Sequence, residues 1–554
     1  MMTFNFSKHK DDLLFVPLGG SNEIGMNLNL YTIDGKWLMV DCGIGFAGDY
    51  LPGVEIIVPD ISFITEHKEN LLGLVITHAH EDHLGAVPYL WRELGCPIYT
   101  TPFTAAFLKN KISEMGPGKK PQIHEIACGG SVDLDPFKIE FIELTHSIAE
   151  MQAVAITTKK GVVLHTGDWK FDDAPIIGSV SDVDALKRYG DGNVLAMVCD
   201  STNVFEEGSS GSEGEVRKHL VELIKTCPKR VVVSTFASNL ARVATLIHAA
   251  NEAGRMVALA GRSLYRVVDA AKQAGYIDED MEFISEREIM NLPREDVLII
   301  CTGCQGEPRA ALTRISRGDH PHIRLQPNDT VIFSSRKIPG NEVKINGIQN
   351  RLVEKRVEVI TDRNYYIHVS GHPARDELKE MYRLVRPRIA VPTHGEPRHL
   401  HEHAKLASSF GVKETVEAHN GAVVWLEEGE ASIIGKVHSG YIAIDGSSLI
   451  PTDGEVIRMR RKLRDDGAVF VSLALDKHGE LVSPVQLAAP GILDAKEDAE
   501  LIVEYAGEVA DAIEKLKKKS GDDEVKETAR LVIRRTIKRD LDKRPVIEVL
   551  LARV

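Results

Sequence analysis

Four side chains of metal-binding type stand within one short stretch of this chain. In Gly73-Leu-Val-Ile-Thr-His-Ala-His-Glu-Asp-His-Leu-Gly85, His78, His80, Asp82 and His83 offer three imidazoles and a carboxylate. These are the nitrogen and oxygen donors that zinc and related divalent ions accept. A polar turn closed by an Asp helix cap would explain one of the four and leave three neighbouring histidines without a reason. Downstream, His146, Asp168, Asp200, His372 and His394 each stand at or just past the end of an apolar run. Any one of them alone is more often an ordinary strand-ending residue. Together with the cluster they describe a donor set suited to metal-assisted hydrolysis.

The apolar runs are what must position these groups. Leu74 to Ile76 reads as a buried strand and Leu84 to Leu94 as a helix, so the four donors crowd a strand-to-helix turn. Phe141 to His146, Gly161 to Asp168 and Val194 to Asp200 read as further strands ending in His or Asp. Near the start, Asp34-Gly35 marks a hairpin, and Asp41 closes the next strand before Cys42-Gly43. Tyr365 to His372 and Ile389 to His394 are later strand-and-turn segments. His399, His401 and His403 read as an exposed helix start.

Length and composition bound the rest. A chain of 554 residues exceeds one core, and about three domains are expected. No apolar run approaches a membrane span, and the start Met-Met-Thr-Phe-Asn-Phe-Ser-Lys-His-Lys has no signal core, so a cytoplasmic location without a membrane is expected. Seven scattered cysteines fit reduced thiols, with Cys301 and Cys304 read as core residues rather than a metal or redox pair. The net charge of −14 argues against indiscriminate nucleic-acid binding but leaves room for a local basic channel.

After Asn203 the composition changes. The polar stretch Phe205 to Glu215 leaves the first domain, and helices then alternate with strands, as in a parallel sheet. Ligands of such sheets bind outside the carboxyl ends of the strands. Ser234, Ser238, Arg262, Ser263, Gly303, Gln305, Gly306, Ser334, Ser335, Arg336 and Lys337 fall there, and their hydroxyls, amides and cations suit phosphates and sugars. Beyond Gly440 the chemistry thins. Ala468 to Leu475 is a strand, Leu501 to Leu516 has helical spacing, Lys515 to Lys526 reads as a charged linker, Thr528 to Leu541 as a basic helix, and Pro545 to Leu551 as a last strand.

The motif around His78 resembles the HxHxDH signature of the metallo-beta-lactamase superfamily. With an inserted α/β segment and His372 and His394 beyond it, the chain resembles the beta-CASP branch. The strings Leu-His-Thr-Gly-Asp-Trp-Lys, Ser-Thr-Phe-Ala-Ser-Asn, Cys-Thr-Gly-Cys-Gln-Gly-Glu-Pro, Ile-Pro-Gly-Asn-Glu, His-Val-Ser-Gly-His and Pro-Thr-His-Gly-Glu are similar to the ribonuclease J family. Pro373 departs from the family, which usually has a small flexible residue there.

The resemblance implies an α/β fold: a metallo-beta-lactamase αββα sandwich, an inserted beta-CASP domain and a small α+β C-terminal domain. The expected boundaries are 1–204 and 365–440 for the sandwich, 205–364 for the insertion, 441–460 for a linker and 461–554 for the last domain. It implies two zinc ions per subunit, with manganese or magnesium as alternatives for activity. His78, His80 and His146 would bind one ion, Asp82, His83 and His394 the other, and Asp168 would bridge them. Asp41 would orient a ligand or the attacking water, while His372, aided by Asp200, would stabilise charge or protonate the leaving oxygen. A 5′-monophosphate pocket is placed at Ser234, Ser238 and the loop His368, Val369, Ser370, Gly371 and His372.

The implied activity is cleavage of single-stranded RNA, 5′ to 3′ and internally, in mRNA decay and rRNA maturation. A homodimer or tetramer, dimerised by the C-terminal domain, and contacts with other RNA-decay proteins are also implied, as is a weak case for calcium near Asp49 and Asp445. DNA or a small ester are the competing substrates. A scaffold without catalysis is disfavoured, because every expected ligand type is present.

Overall fold

The computed structural model describes residues 4–554 except 117, 119, 339 and 517–519. The first three residues of the non-signal start, the proline of Ile-Pro-Gly-Asn-Glu and three lysines of the charged stretch lie outside the described residues. Chain contacts separate two units, Met1–Gly45 with Val58–Gly440, and Phe46–Ile57 with Tyr441–Val554.

The first unit holds two facing sheets. One has eight strands, in the order Ser432–Lys436, Ala422–Trp425, Leu14–Gly19, Leu28–Ile33, Lys36–Val40, Leu71–Val75, Ile98–Thr100 and Ile123–Glu125. The other has seven, in the order Glu414–Thr415, Ile389–Thr393, Val194–Asp200, Gly161–His165, Gln152–Thr158, Phe137–Glu143 and Ser131–Leu134. Successive side chains of a strand point to opposite faces. Phe15, Tyr31, Leu38 and Val75 of the first sheet thus meet Phe141, Val154, Val198 and Val391 of the second in one core. On the far face of the second sheet, Ile142, Ala155, Leu164 and Met197 pack against Leu186, Leu378, Met381 and Ala407 from the helices Val183–Asp191, Arg375–Val385 and Pro397–Ser409. Leu14, Leu30, Met39 and Leu74, of the other parity in the first sheet, are also buried, so both sheets are covered twice.

Strand pairing brings the donors together. Val40 stands opposite Val75 in parallel strands, which places Asp41 beside the turn that starts at Thr77. Asp200 stands opposite Thr393, which places it next to His394 from the returning chain. The helix expected over 84–94 is in two pieces, Glu81–Leu84 and Val87–Leu94, and the first begins inside the metal motif.

The insertion carries five parallel strands, in the order Met256–Ala260, Val297–Cys301, Val231–Ser234, Thr330–Phe333 and Glu358–Ile360. Continuous Val, Ile and Leu runs fit strands buried on both faces. Cys301 and Cys304 are buried, and burial pushes both thiols up to about 12, far from the reactive range.

In the second unit, a three-stranded sheet runs Gln486–Ala488, Ala468–Leu475, Val546–Arg553. Val471, Leu473 and Val549 pack under Tyr505, Val509, Ile533 and Ile537 from the helices Ala499–Glu514 and Asp522–Leu541. Two expectations are corrected here. The 441–460 stretch expected as a linker holds the strands Tyr441–Asp445 and Ser448–Pro451 and the start of the helix Glu455–Asp466. The last helix begins at Asp522, six residues before the expected Thr528: Asp522, Asp523 and Glu524 fill its first turn and Lys538 and Arg539 its last, signs that suit the helix dipole. Asp445, considered for calcium, instead holds Arg460 at 3.0 and 2.7 Å.

Candidate metal centre

The strand ends converge on one cluster of buried and half-buried donors. His78, His80, His146 and Asp168 form one group whose ligand atoms all lie within 4.8 Å of one another, and Asp82, His83, Asp168 and His394 form a second. Asp168 belongs to both. Asp168, Asp200, His372 and His394 form a third group of the same kind beside them. His80 Nδ1 stands 3.1 Å from His78 Nε2 and 3.0 Å from His146 Nε2. His83 Nε2 is 3.1 Å from Asp168, and His394 Nε2 is 3.2 Å from Asp82.

Most of these histidines are tied down by one ring nitrogen and turn the other into the donor cluster. His83 Nδ1 donates to Asp41 Oδ2 at 2.7 Å. His146 Nδ1 donates to the Gly371 carbonyl at 2.6 Å. His394 Nδ1 donates to Thr202 Oγ1 at 2.7 Å. His78 Nδ1 meets Thr77 Oγ1 at 2.9 Å, and that hydroxyl in turn donates to Asp41. Anchoring one nitrogen fixes the tautomer and aims the other at the centre, as around protein-bound metals. Asp41 is held for this task. It has φ 64°, in the left-handed region that non-glycine residues avoid, and its Oδ1 accepts from the Thr77 N–H at 2.8 Å. His394 has φ 52°, and its N–H donates to Gly20. A Cβ on Gly43 would lie 1.7 Å from the Asp82 carbonyl oxygen, so only glycine lets the Asp41 turn sit against the metal motif.

The charge balance fits a divalent cation. Asp41, Asp168 and Asp200 are buried together, and Asp168 Oδ1 is buried without a hydrogen-bond partner. Burial holds His78 and His146 well below the ordinary imidazole range, and it is the main cause that pushes His80 down to about 4, so these rings favour the neutral form that a metal ligand needs. For His83 and His394 burial acts the same way, but the surrounding carboxylates outweigh it. They raise His83 well above the usual range and His394 to about 10. In the metal-free chain the protons of His83 and His394 thus carry part of the positive charge that the carboxylates require, beside His372, which Asp200 and Asp168 raise against its burial. Divalent ions would take over that charge, and both protons would leave.

The Asp200–His372 pair flanks the centre. His372 Nδ1 donates to Asp200 Oδ2 at 2.8 Å and lies 3.9 Å from Asp168. Asn203 Nδ2 donates to Ser370 Oγ at 2.7 Å and to the His372 carbonyl at 3.0 Å, so the loop before the buried Pro373 is pinned to the end of the Val194–Asp200 strand.

The expected phosphate-pocket residues divide. Ser334 N–H donates to the Ser234 carbonyl, and Ser334 Oγ donates to the Ile367 carbonyl at 2.7 Å, which joins the inserted sheet to the His368 loop. Ser234 stands opposite Cys301, and its hydroxyl faces that thiol, while His368 Nδ1 is buried without a partner. Burial lowers His368, and the charges of Arg242, Arg336 and Lys170 lower it further. Val369 is buried. Ser238 is half-buried and makes no side-chain hydrogen bond among the described residues. Gln305 ties two loops, donating to Arg336 O and accepting from Ile338 N–H.

Sequence reasoning missed Thr77, Thr202 and Asn203, although each is adjacent to, or within three residues of, a residue it did select. The reading of His399 to His403 as exposed is corrected. His401 is exposed, but His399 is buried, and so is His403, between Ser201 Oγ at 2.8 Å and Tyr382 Oη at 2.9 Å.

Comparison with known proteins finds four matches along the chain. Residues 27–197 match the metallo-beta-lactamase superfamily, 228–352 the ribonuclease J beta-CASP domain, 356–419 the Zn-dependent metallo-hydrolase RNA specificity domain, and 455–554 the ribonuclease J C-terminal domain. Ribonuclease J of Sinorhizobium meliloti is 40% identical over 551 residues, covering 98% of each chain. Ribonuclease J of Mycolicibacterium smegmatis is 40% identical over 91% of this chain and 90% of its own. Ribonuclease J2 of Bacillus subtilis is 34% identical over 90% of each. A solved Enterococcus faecalis protein of unknown function shares the fold, with a TM-score of 0.53 and 14% identity over 75% of this chain and all of its own.

Proposed function

The chain belongs to the ribonuclease J family and is a metal-dependent ribonuclease; from that premise we propose that it degrades single-stranded RNA from a 5′-monophosphate end, 5′ to 3′, and also cuts internally. Its roles would be mRNA decay and maturation of rRNA 5′ ends. The observation that carries this reading is the pair of donor groups sharing Asp168, with His372 and Asp200 alongside.

His78, His80 and His146 would hold one ion and Asp82, His83 and His394 the other, with Asp168 common to both. The preponderance of imidazole favours two zinc ions per subunit, and the carboxylates also suit manganese or magnesium. Bound divalent ions supply Lewis acidity, which lowers the pKa of water and neutralises phosphate charge. The chain's own residues do the rest. Asp41 fixes the His83 ring and acts as a positioning residue. Asp200 holds the Nδ1 proton of His372, which leaves Nε2 to serve the departing 3′ oxygen. The products would carry 5′-phosphate and 3′-hydroxyl ends.

The unpartnered His368 Nδ1, with the charges of Arg242, Arg336 and Lys170 bearing on it, supports a pocket for a terminal monophosphate there. The C-terminal unit would dimerise the chain, with a tetramer and contacts to other RNA-decay proteins as further assemblies. Among the described residues no helix is long and apolar enough to cross a membrane, and we place the protein in the cytoplasm.

The test is a time course on uniformly labelled single-stranded RNA with a 5′-monophosphate, beside its triphosphate form and a matched DNA. Mononucleotides from the first time point, on monophosphate RNA, are expected. Equal rates on both ends would remove the pocket, internal fragments alone would leave an endonuclease, and equal cleavage of DNA would move the protein to the DNA-acting branch.

A further inference from the structure

The second unit carries a groove of about 990 Å³ between the helices Glu455–Asp466 and Asp522–Leu541 and the start of the strand Val546–Arg553. Cations converge on it from three segments: Lys462 from the first helix, Arg530, Arg534, Arg535 and Lys538 from the second, and Arg544 ahead of the strand. The lining also holds Arg539, paired with Glu508 and Asp540, and the carboxylates Asp466 and Glu548, so seven cations face two anions, a local reversal of sign in a chain of net charge −14. Arg530 and Lys538 are occupied by Glu527 and Asp542. Among the described residues Lys462, Arg534 and Arg535 have no ion-pair partner, and all three are exposed. Unpaired like charges held side by side repel, and that cost is relieved when an anion lies between them.

We propose that this groove is a second binding site for the RNA chain, one that holds the phosphate backbone on the C-terminal unit with none of the residues of the metal centre. The proposal rests on the ribonuclease reading. Guanidinium forks match phosphate oxygens two at a time. Among the described residues no aromatic side chain lines the groove, so it lacks an aromatic platform for bases, and the hold is chiefly on phosphates. Binding of this kind releases counterions and is strongly salt-dependent.

The experiment uses the full chain and a variant carrying Lys462→Ala, Arg534→Ala and Arg535→Ala. Affinity for a single-stranded 5′-monophosphate RNA of about 40 nucleotides is measured by fluorescence anisotropy against salt, and KM is measured on that RNA and on a 5′-phosphorylated trinucleotide. The variant is expected to bind the long RNA about tenfold more weakly, and its log–log salt slope to be shallower by about 2, roughly 0.7 for each phosphate that is no longer neutralised. Its KM rises on the long RNA only, with kcat unchanged. An unaltered slope and affinity overturn the groove. So does an unaltered slope with a changed molecular mass, which would make the patch an interface between copies of the chain. A parent chain that neither binds nor cuts RNA would remove the ribonuclease reading itself, an outcome distinct from a parent that cuts normally and a variant that matches it.

Discussion

The carbonyl of Gly371 fixes the ring of His146, 225 residues earlier, through a 2.6 Å hydrogen bond. The loop that carries His372 thereby also aims an imidazole of the donor cluster, so the two parts of the centre are joined by one hydrogen bond.

A side chain on Gly371 would break that relationship. A Cβ there would lie 2.7 Å from His146 Cε1 and 3.0 Å from Ser147 Oγ. Gly371→Ala is expected to lower metal affinity about 10- to 100-fold, the usual cost of losing a partner that orients a ligand. Metal titration and RNA cleavage of the same preparation check this, and full metal content with normal turnover would contradict it.

Asp168 stands in both donor groups and has a buried, unpartnered oxygen. Asp168→Ala should abolish metal loading and turnover together. Elemental analysis of the purified variant decides: two retained ions with normal cleavage would remove the proposed ligand set.

His372 and Asp200 should separate from the metal ligands in their effects. His372→Ala is expected to keep its metal and lose about 10²- to 10⁴-fold in kcat, the range for a lost acid–base group. Asp200→Asn should lose less, since an amide oxygen can still accept from His372 Nδ1. Equal metal loss in both variants would instead make them ligands.

His403 predicts an acid limit on stability. Burial pushes it down to about 4, below the roughly 6.5 of an unfolded chain. Between these values the unfolded state binds the extra proton, so stability is full above pH 6.5 and is lost as the pH falls toward 4. The full effect of this residue is about 3 kcal/mol. In His403→Gln the melting temperature should fall less between pH 6.5 and 4.5 than in the parent; parallel curves would show that His403 takes no part.

The buried Arg242–Glu213 pair should matter for the fold as well as the site. Arg242 donates twice to Glu213 at 3.0 Å and once to the Ile367 carbonyl at 2.8 Å, next to His368. Arg242→Ala leaves a buried carboxylate alone, at a cost of about 3–5 kcal/mol. Thermal unfolding should register it, together with a raised KM on monophosphate RNA; an unchanged KM in the folded fraction would separate Arg242 from the phosphate pocket.

How much of this was legible in the sequence depends on the range of the interaction. Three histidines and an Asp at a strand-to-helix turn are local, and the strand ends at His146, Asp168, Asp200 and His394 could be read because each follows a continuous apolar run. Backbone periodicity and donor chemistry are carried by neighbouring residues, so the sequence alone settled individual strands, the parallel insertion and the residues competent to bind metal, while the sandwich came from the resemblance of the His78 motif to a known family. Tertiary structure alone decided which ring nitrogen each histidine offers. Asp41 reaches His83, Thr202 reaches His394 and Gly371 reaches His146 only after parallel strands from distant parts of the chain come into register. It also decided that His403 is a core residue and that 441–460 is folded. A histidine on a helix and a run of turn residues look the same whether buried or exposed until another segment packs against them, and hydrogen bonds across 42 to 225 residues leave no periodic trace in the sequence.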